Sequence, residues 1–163
     1  MNTDEGFLNW FAGLVDGEGC FHIARVSGRN GRPYVQFLLQ IALRDDDRSI
    51  LEEIQSTLGM GDITWHPRQV GPSHNGNPLV TLRIVRIRDV QRLAVLLQGR
   101  LHTKKRHDFD LWCAALEAKA AGATTETLLS YKAALQALRV YPVDPDRMEK
   151  PTHPQLRMIE ALS

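Results

Sequence analysis

The sequence predicts an α+β fold: an antiparallel sheet with helices packed on one face. Three observations carry that expectation. Residues 34–43 read as a strand, with Val35, Phe37, Leu39, Ile41 and Leu43 on one face and Tyr34, Gln36, Leu38, Gln40 and Ala42 on the other. Apolar residues recur at helical spacing in two stretches, Ile50, Leu51, Ile54 and Leu58, then Val90, Leu93, Leu96 and Leu97. Polar or Pro/Gly-rich turns at 27–33 and 67–78 join neighbouring strand candidates, which is how hairpins are written.

Taken in order, residues 7–15 read as a helix, with Thr3 and Asp4 as capping candidates and the glycines of Asp16-Gly17-Glu18-Gly19 as its stop. Residues 20–26 and 34–43 form the first hairpin. Asp45, Asp46 and Asp47 open a helix that Gly59 closes. Residues 62–66 and 79–87 form the second hairpin, with Val80, Leu82 and Ile84 toward the core and Thr81, Arg83 and Val85 outward. Asp89 caps a short helix, residues 104–121 form a longer one stopped by Gly122, and Thr124 or Thr125 starts another. The expected order is therefore α-β-β-α-β-β-α-α-α.

A chain of 163 residues suits one domain and is long enough to bury a core unaided. Residues 1–122 are expected to form the core unit, and 123–163, a helical segment and Pro-rich tail, to belong to the same domain. Cys20 and Cys113 give neither a disulfide framework nor a zinc spacing, and the six histidines add no ligand pattern. No apolar run approaches the roughly 20 residues of a membrane span. The acidic start, with Asp4 and Glu5, is unlike a secretory or transit leader. An intracellular protein with no membrane partner is the expectation.

The formal net charge is only +1, yet the charge is segregated. Between Cys20 and Arg44 stand Arg25, Arg29, Arg32 and Arg44 with no acid. From Asp62 to Arg88 stand Arg68, Arg83, Arg86 and Arg88 with Asp62 alone against them. A solvated sheet face reads this way. So does a ribbon that contacts phosphates and bases in a major groove.

Residues 11–19, Phe-Ala-Gly-Leu-Val-Asp-Gly-Glu-Gly, resemble the signature of the LAGLIDADG homing endonucleases, with Phe11 where that family usually has Leu and Glu18 in place of its second Asp. The segment from Leu43 to Gly61, and Leu101, Thr103, Lys104, Lys105, Asp108, Phe109 and Trp112, are similar to the family's later blocks, so the likeness covers roughly 7–120. The resemblance implies the α-β-β-α-β-β-α homing endonuclease fold, with the sheet as a DNA-binding saddle and the motif helix at a dimer interface.

Gly13 and Gly17 are four apart, on one helix face, where small residues let a second helix approach. One motif per chain then calls for a homodimer, with Phe11, Ala12, Gly13, Asp16 and Gly17 as the expected interface. The resemblance makes Glu18 the metal ligand, with the Gly17 carbonyl as a second donor, for Mg²⁺ with Mn²⁺ as a substitute. Asp16 is expected in a structural or capping role. The resemblance places Lys104 beside the attacking water and phosphate, and makes Gln40 and Arg44 candidates for ordering water, so that Glu18, Lys104, Gln40 and Arg44 are the expected catalytic set.

Arg29, Asn30, Arg32, Tyr34, Gln36, Gln40, His66, Arg68, Thr81 and Arg83 are the expected DNA contacts. Arg suits guanine and Gln suits adenine. A ten-residue strand reaches roughly 33 Å, close to the roughly 34 Å of one duplex turn. A dimer would thus cover about twenty base pairs of pseudo-palindromic double-stranded DNA. The implied activity is site-specific double-strand cleavage that promotes homing. An intron RNA maturase, or a DNA-binding protein of the same fold that does not cleave, is the alternative.

Overall fold

The computed structural model describes residues 4–28, 30–67 and 76–140. Arg29, Arg68 and the tail from 141 onward lie outside these. The elements follow the expected order: α1 (Glu5–Glu18), β1 (Gly19–Ser27), β2 (Pro33–Arg44), α2 (Arg48–Leu58), β3 (Asp62–His66), β4 (Leu79–Ile84), α3 (Ile87–Leu97), α4 (Lys105–Ala120) and α5 (Thr125–Leu138). A single 3₁₀ turn at Asp45–Asp47 precedes α2. The four strands form one antiparallel sheet in the order β1-β2-β4-β3, so the two hairpins meet along the central pair β2 and β4.

Local chemistry accounts for the element ends. Asp4 caps α1, its carboxylate accepting the Phe7 amide at 3.2 Å. The helix passes through Gly17 and ends only at Gly19, which turns to extended backbone and begins β1. A Cβ at Gly19 would lie 2.7 Å from Val15, so only glycine permits this tight exit. Gly17 was expected to help stop the helix, but a helical glycine costs only about 1 kcal/mol and does not terminate a run by itself. Gly59 closes α2 in the left-handed region, φ 65°. The expected strand 79–87 ends at Ile84. Arg86 is the N-cap of α3 and Asp89 sits inside its first turn rather than capping it.

The core lies between the sheet and the helices. Phe21, Ile23, Val35, Phe37, Leu39, Ile41, Val80, Leu82 and Ile84 supply the sheet's inner face. Leu51, Ile54 and Leu58 of α2 and Val90, Leu93 and Leu97 of α3 cover it, the spacing on which both helices were recognised. Trp112 of α4 is fully buried against Phe21, Phe37 and Phe109, with ring centroids 5.1–6.3 Å apart, and its indole N–H donates to the His22 carbonyl at 3.1 Å. α5 packs on α4 and along β1. Among the described residues no helix is long and apolar enough to cross a membrane.

Candidate functional site

The sheet's other face is polar, and register places its residues in lateral rows. Directly opposed residues on antiparallel strands point to the same side. Gln40 of β2 is opposite Cys20 of β1 and Arg83 of β4, and Arg83 is opposite Asp62 of β3. A second row runs Ala42, Thr81 and Thr64, and a third joins Arg44, Leu79 and His66. Tyr34 and Gln36 continue the same face of β2 toward the hairpin tip, where Asn30 and Arg32 are exposed. Gln36, Asp62, Thr64, Arg83 and Val85 line a shallow depression of about 210 Å³ on it. The expected contact residues on the strands therefore share one surface.

Thr81 needs correction. It has the expected parity but is only 4% exposed, because a short side chain on a central strand is shielded from both sides. The His22 imidazole lies half-buried on this face, and burial, then the nearby Arg139 and Arg83 cations, lower its pKa below the ordinary histidine value. The folded chain thus resists protonating His22 more than the unfolded chain does. Stability from this group is complete above about pH 6.5 and is lost as pH falls through the lowered folded value. Wild type is expected to lose more melting temperature between pH 7.5 and 5.5 than His22→Gln, by thermal unfolding in matched buffers.

α1 presents two stripes. Leu8, Phe11, Ala12 and Val15, spaced i, i+3, i+4 and i+7, are buried in the chain's own core. Phe11 and Ala12 are 0% and 1% exposed. They were expected at a dimer interface, and the structure instead gives them to the fold. Trp10, Gly13 and Gly17 form the opposite, exposed stripe, with Trp10 42% exposed. A Cβ at Gly13 or Gly17 would meet no atom within 4 Å. Trp10 was absent from the expected interface, although its spacing of three and seven residues from the two glycines could have placed it there.

Asp16 turns inward across α1's last turn. Its carboxylate accepts the His102 amide at 2.8 Å, the Thr103 amide at 3.3 Å and the Thr103 hydroxyl at 2.8 Å. The same hydroxyl accepts the Lys105 amide at 3.2 Å, which caps the first turn of α4. Asp16 thereby fixes the segment that carries Lys104, the N-cap residue of α4, against the end of α1. Within one chain Asp16 therefore has a structural role, alongside its expected place at the dimer interface.

Glu18, the last residue of α1, is exposed two positions away. A helix C-terminus is electrostatically unfavourable for a carboxylate, because unpaired carbonyls already concentrate negative charge there. Gln40 is brought near this corner through its partner Cys20, which follows Glu18 by two residues. Arg44 lies four residues, roughly 13 Å, further along β2. Its guanidinium pairs with Asp46 at 2.6 Å, so the structure groups it with the 3₁₀ turn rather than with Glu18.

The oxygen donors at this corner suit a hard divalent cation. A single chain offers only the Glu18 carboxylate and last-turn carbonyls such as that of Gly17. Among the described residues no three His, Cys, Asp or Glu side chains gather as a metal set. The Glu18 carboxylate and the Gly17 carbonyl are of the right donor class for such a cation, and one chain supplies too few of them to complete its shell. Cys113 adds no reactive thiol: burial, then Asp110 and Glu117, push its pKa up to about 12.

Comparison with curated proteins gives no match. Solved structures do match. The homing endonuclease I-TnaI is 22% identical, with 96% of this chain and 97% of that one covered and a TM-score of 0.63. The LAGLIDADG meganuclease I-AabMI, bound to uncleaved DNA, is 28% identical over 89% of this chain with a TM-score of 0.62, and this chain spans 49% of its length. The homing endonuclease I-CvuI, in complex with the I-CreI target in 2 mM Mg with the DNA not cleaved, is 19% identical, with 86% of each chain covered and a TM-score of 0.63. The family model described as LAGLIDADG endonuclease matches residues 11–116, from the exposed and buried stripes of α1 through Trp112 and most of α4. The protein is a member of the LAGLIDADG endonuclease family.

Proposed function

We propose that the chain is a site-specific endonuclease for double-stranded DNA, acting as a homodimer with a divalent metal. The observation that carries this reading is the Asp16 network, which holds the Lys104 segment against the end of α1 that presents Glu18. That corner stands at the head of the polar sheet face and beside the open stripe of Trp10, Gly13 and Gly17. Related structures with bound DNA and with magnesium support the partner and the cofactor class.

In this reading the exposed stripes of two copies pack together and bring their Glu18 carboxylates to one seam. Glu18, with the Gly17 carbonyl, would hold a divalent cation there and offset the repulsion between the two carboxylates. The chemistry supplied by a bound cation would be a lowered pKa for a water and neutralised charge on the scissile phosphate. Lys104 supplies a fixed positive charge to the phosphate as negative charge develops. Gln40 orders water at the seam end of β2. Arg83, Gln36, Tyr34 and His66 contact base edges, and Asn30 and Arg32 hold the flanking backbone.

The reading is tested by binding selection from randomised duplexes in Ca²⁺, followed by a Mg²⁺ challenge of the bound pool. Recovery of a pseudo-palindrome that is then cut supports it. Binding without any cutting would overturn the enzyme, and no binding would overturn the partner. The dimer has its own test. Gly13→Leu is expected to keep or raise stability, by up to about 1 kcal/mol, since its side chain meets open space and glycine is a poor helix former. The same change is expected to leave a monomer by sedimentation velocity, where wild type sediments as a dimer.

A further inference from the structure

We infer that Arg139, at the end of α5, is a positioning residue for Lys104. The inference rests on the endonuclease reading and adds to it a part of the chain beyond residues 11–116. The contact runs through Asp108, which is 8% exposed and sits in the first turn of α4. The Arg139 Nε donates to Asp108 Oδ2 at 3.0 Å, and its second guanidinium nitrogen donates to the Phe21 carbonyl on β1. One side chain thus bolts the start of α4 to the strand that begins immediately after Glu18.

Lys104 precedes Asp108 by four residues, one helical turn, so the two share a helix face. It stands between two fixed points. Asp16 holds the preceding residues 102 and 103 to α1, and Arg139 holds the following turn to β1. Asp16, Thr103, Lys104, Asp108 and Arg139 line one cavity of about 410 Å³. Asp108 is nearly buried, so its charge needs a partner. With Arg139 removed, the start of α4 would lose its anchor to β1, and the Lys104 segment would be held from the Asp16 side alone. A displacement of about 1 Å at a reacting centre costs up to roughly a hundredfold in rate.

The test is a double-mutant cycle on the full chain with its selected duplex. Single-turnover cleavage at saturating enzyme in Mg²⁺ and duplex affinity in Ca²⁺ are measured for wild type, Arg139→Gln, Lys104→Ala and the pair. Arg139→Gln is expected to slow cleavage roughly tenfold or more with affinity nearly unchanged. Arg139→Lys should recover much of the rate by restoring a cation to Asp108. In the Lys104→Ala background, Arg139→Gln should cost little further rate, because the group it positions is gone. Equal slowing in both backgrounds, or a wild-type rate in folded Arg139→Gln, would overturn the inference. If Arg139→Gln does not fold, Arg139→Met, which also removes the cation, takes its place in the cycle under the same criteria. Wild type that binds but does not cut would instead overturn the endonuclease reading.

Discussion

Glu18→Gln is expected to bind the target duplex like wild type and to lose cleavage by at least roughly 10³-fold. That factor corresponds to about 4 kcal/mol of transition-state stabilisation, within the several kcal/mol a catalytic metal supplies. The substitution keeps size and shape but removes the charge that would hold the cation. Glu18 is exposed at the C-terminal end of α1, where a negative charge opposes the helix dipole. The variant should therefore melt slightly higher than wild type while being inactive, which separates loss of chemistry from loss of fold. Duplex affinity in Ca²⁺, single-turnover cleavage in Mg²⁺ and a melting curve make the comparison. Cleavage within tenfold of wild type would remove Glu18 from the metal site.

Trp112→Ala is the change expected to cost most stability. The indole is fully buried among Phe21, Phe37 and Phe109, and its N–H satisfies the His22 carbonyl on β1. Truncating a buried Trp costs about 3–5 kcal/mol through lost transfer energy and the cavity left behind. In a domain of this size that lowers the melting temperature by roughly 10–15 °C. Trp112→Phe retains most of the volume and loses the hydrogen bond, so it should cost roughly 1–3 kcal/mol. Chemical denaturation of the two variants separates packing from the bond. Equal losses would mean that the hydrogen bond, not the volume, holds α4 to β1.

The architecture was legible because two periodicities dominate the sequence. Uniformly apolar odd positions over 34–43 set the inner face of β2, and all four strands inherit their faces from it through register. Leucine spacing in α2 and α3 gave their core faces directly. The motif was legible as a set of letters but not as a surface. Adjacency in sequence groups Phe11, Ala12, Gly13, Asp16 and Gly17, whereas a helix turns about 100° per residue and sends the first two inward. Trp10 faces outward by the same rule. Parity gives Thr81 its direction but not its exposure, because its cover comes from neighbouring strands. Arg139 and Asp108 are separated by thirty-one residues, and their pairing exists only once α5 folds back on α4 and β1. Local patterning carries no signal for a contact of that kind.

The central claim is that two copies of this chain cut both strands of one duplex. Mapping the ends produced from a selected duplex after Mg²⁺ addition tests it most directly. Breaks on both strands, symmetric about the dyad of the recovered site and abolished by EDTA, are the expected result. A duplex that stays bound and intact in Mg²⁺, or one cut on a single strand without symmetry, would contradict it.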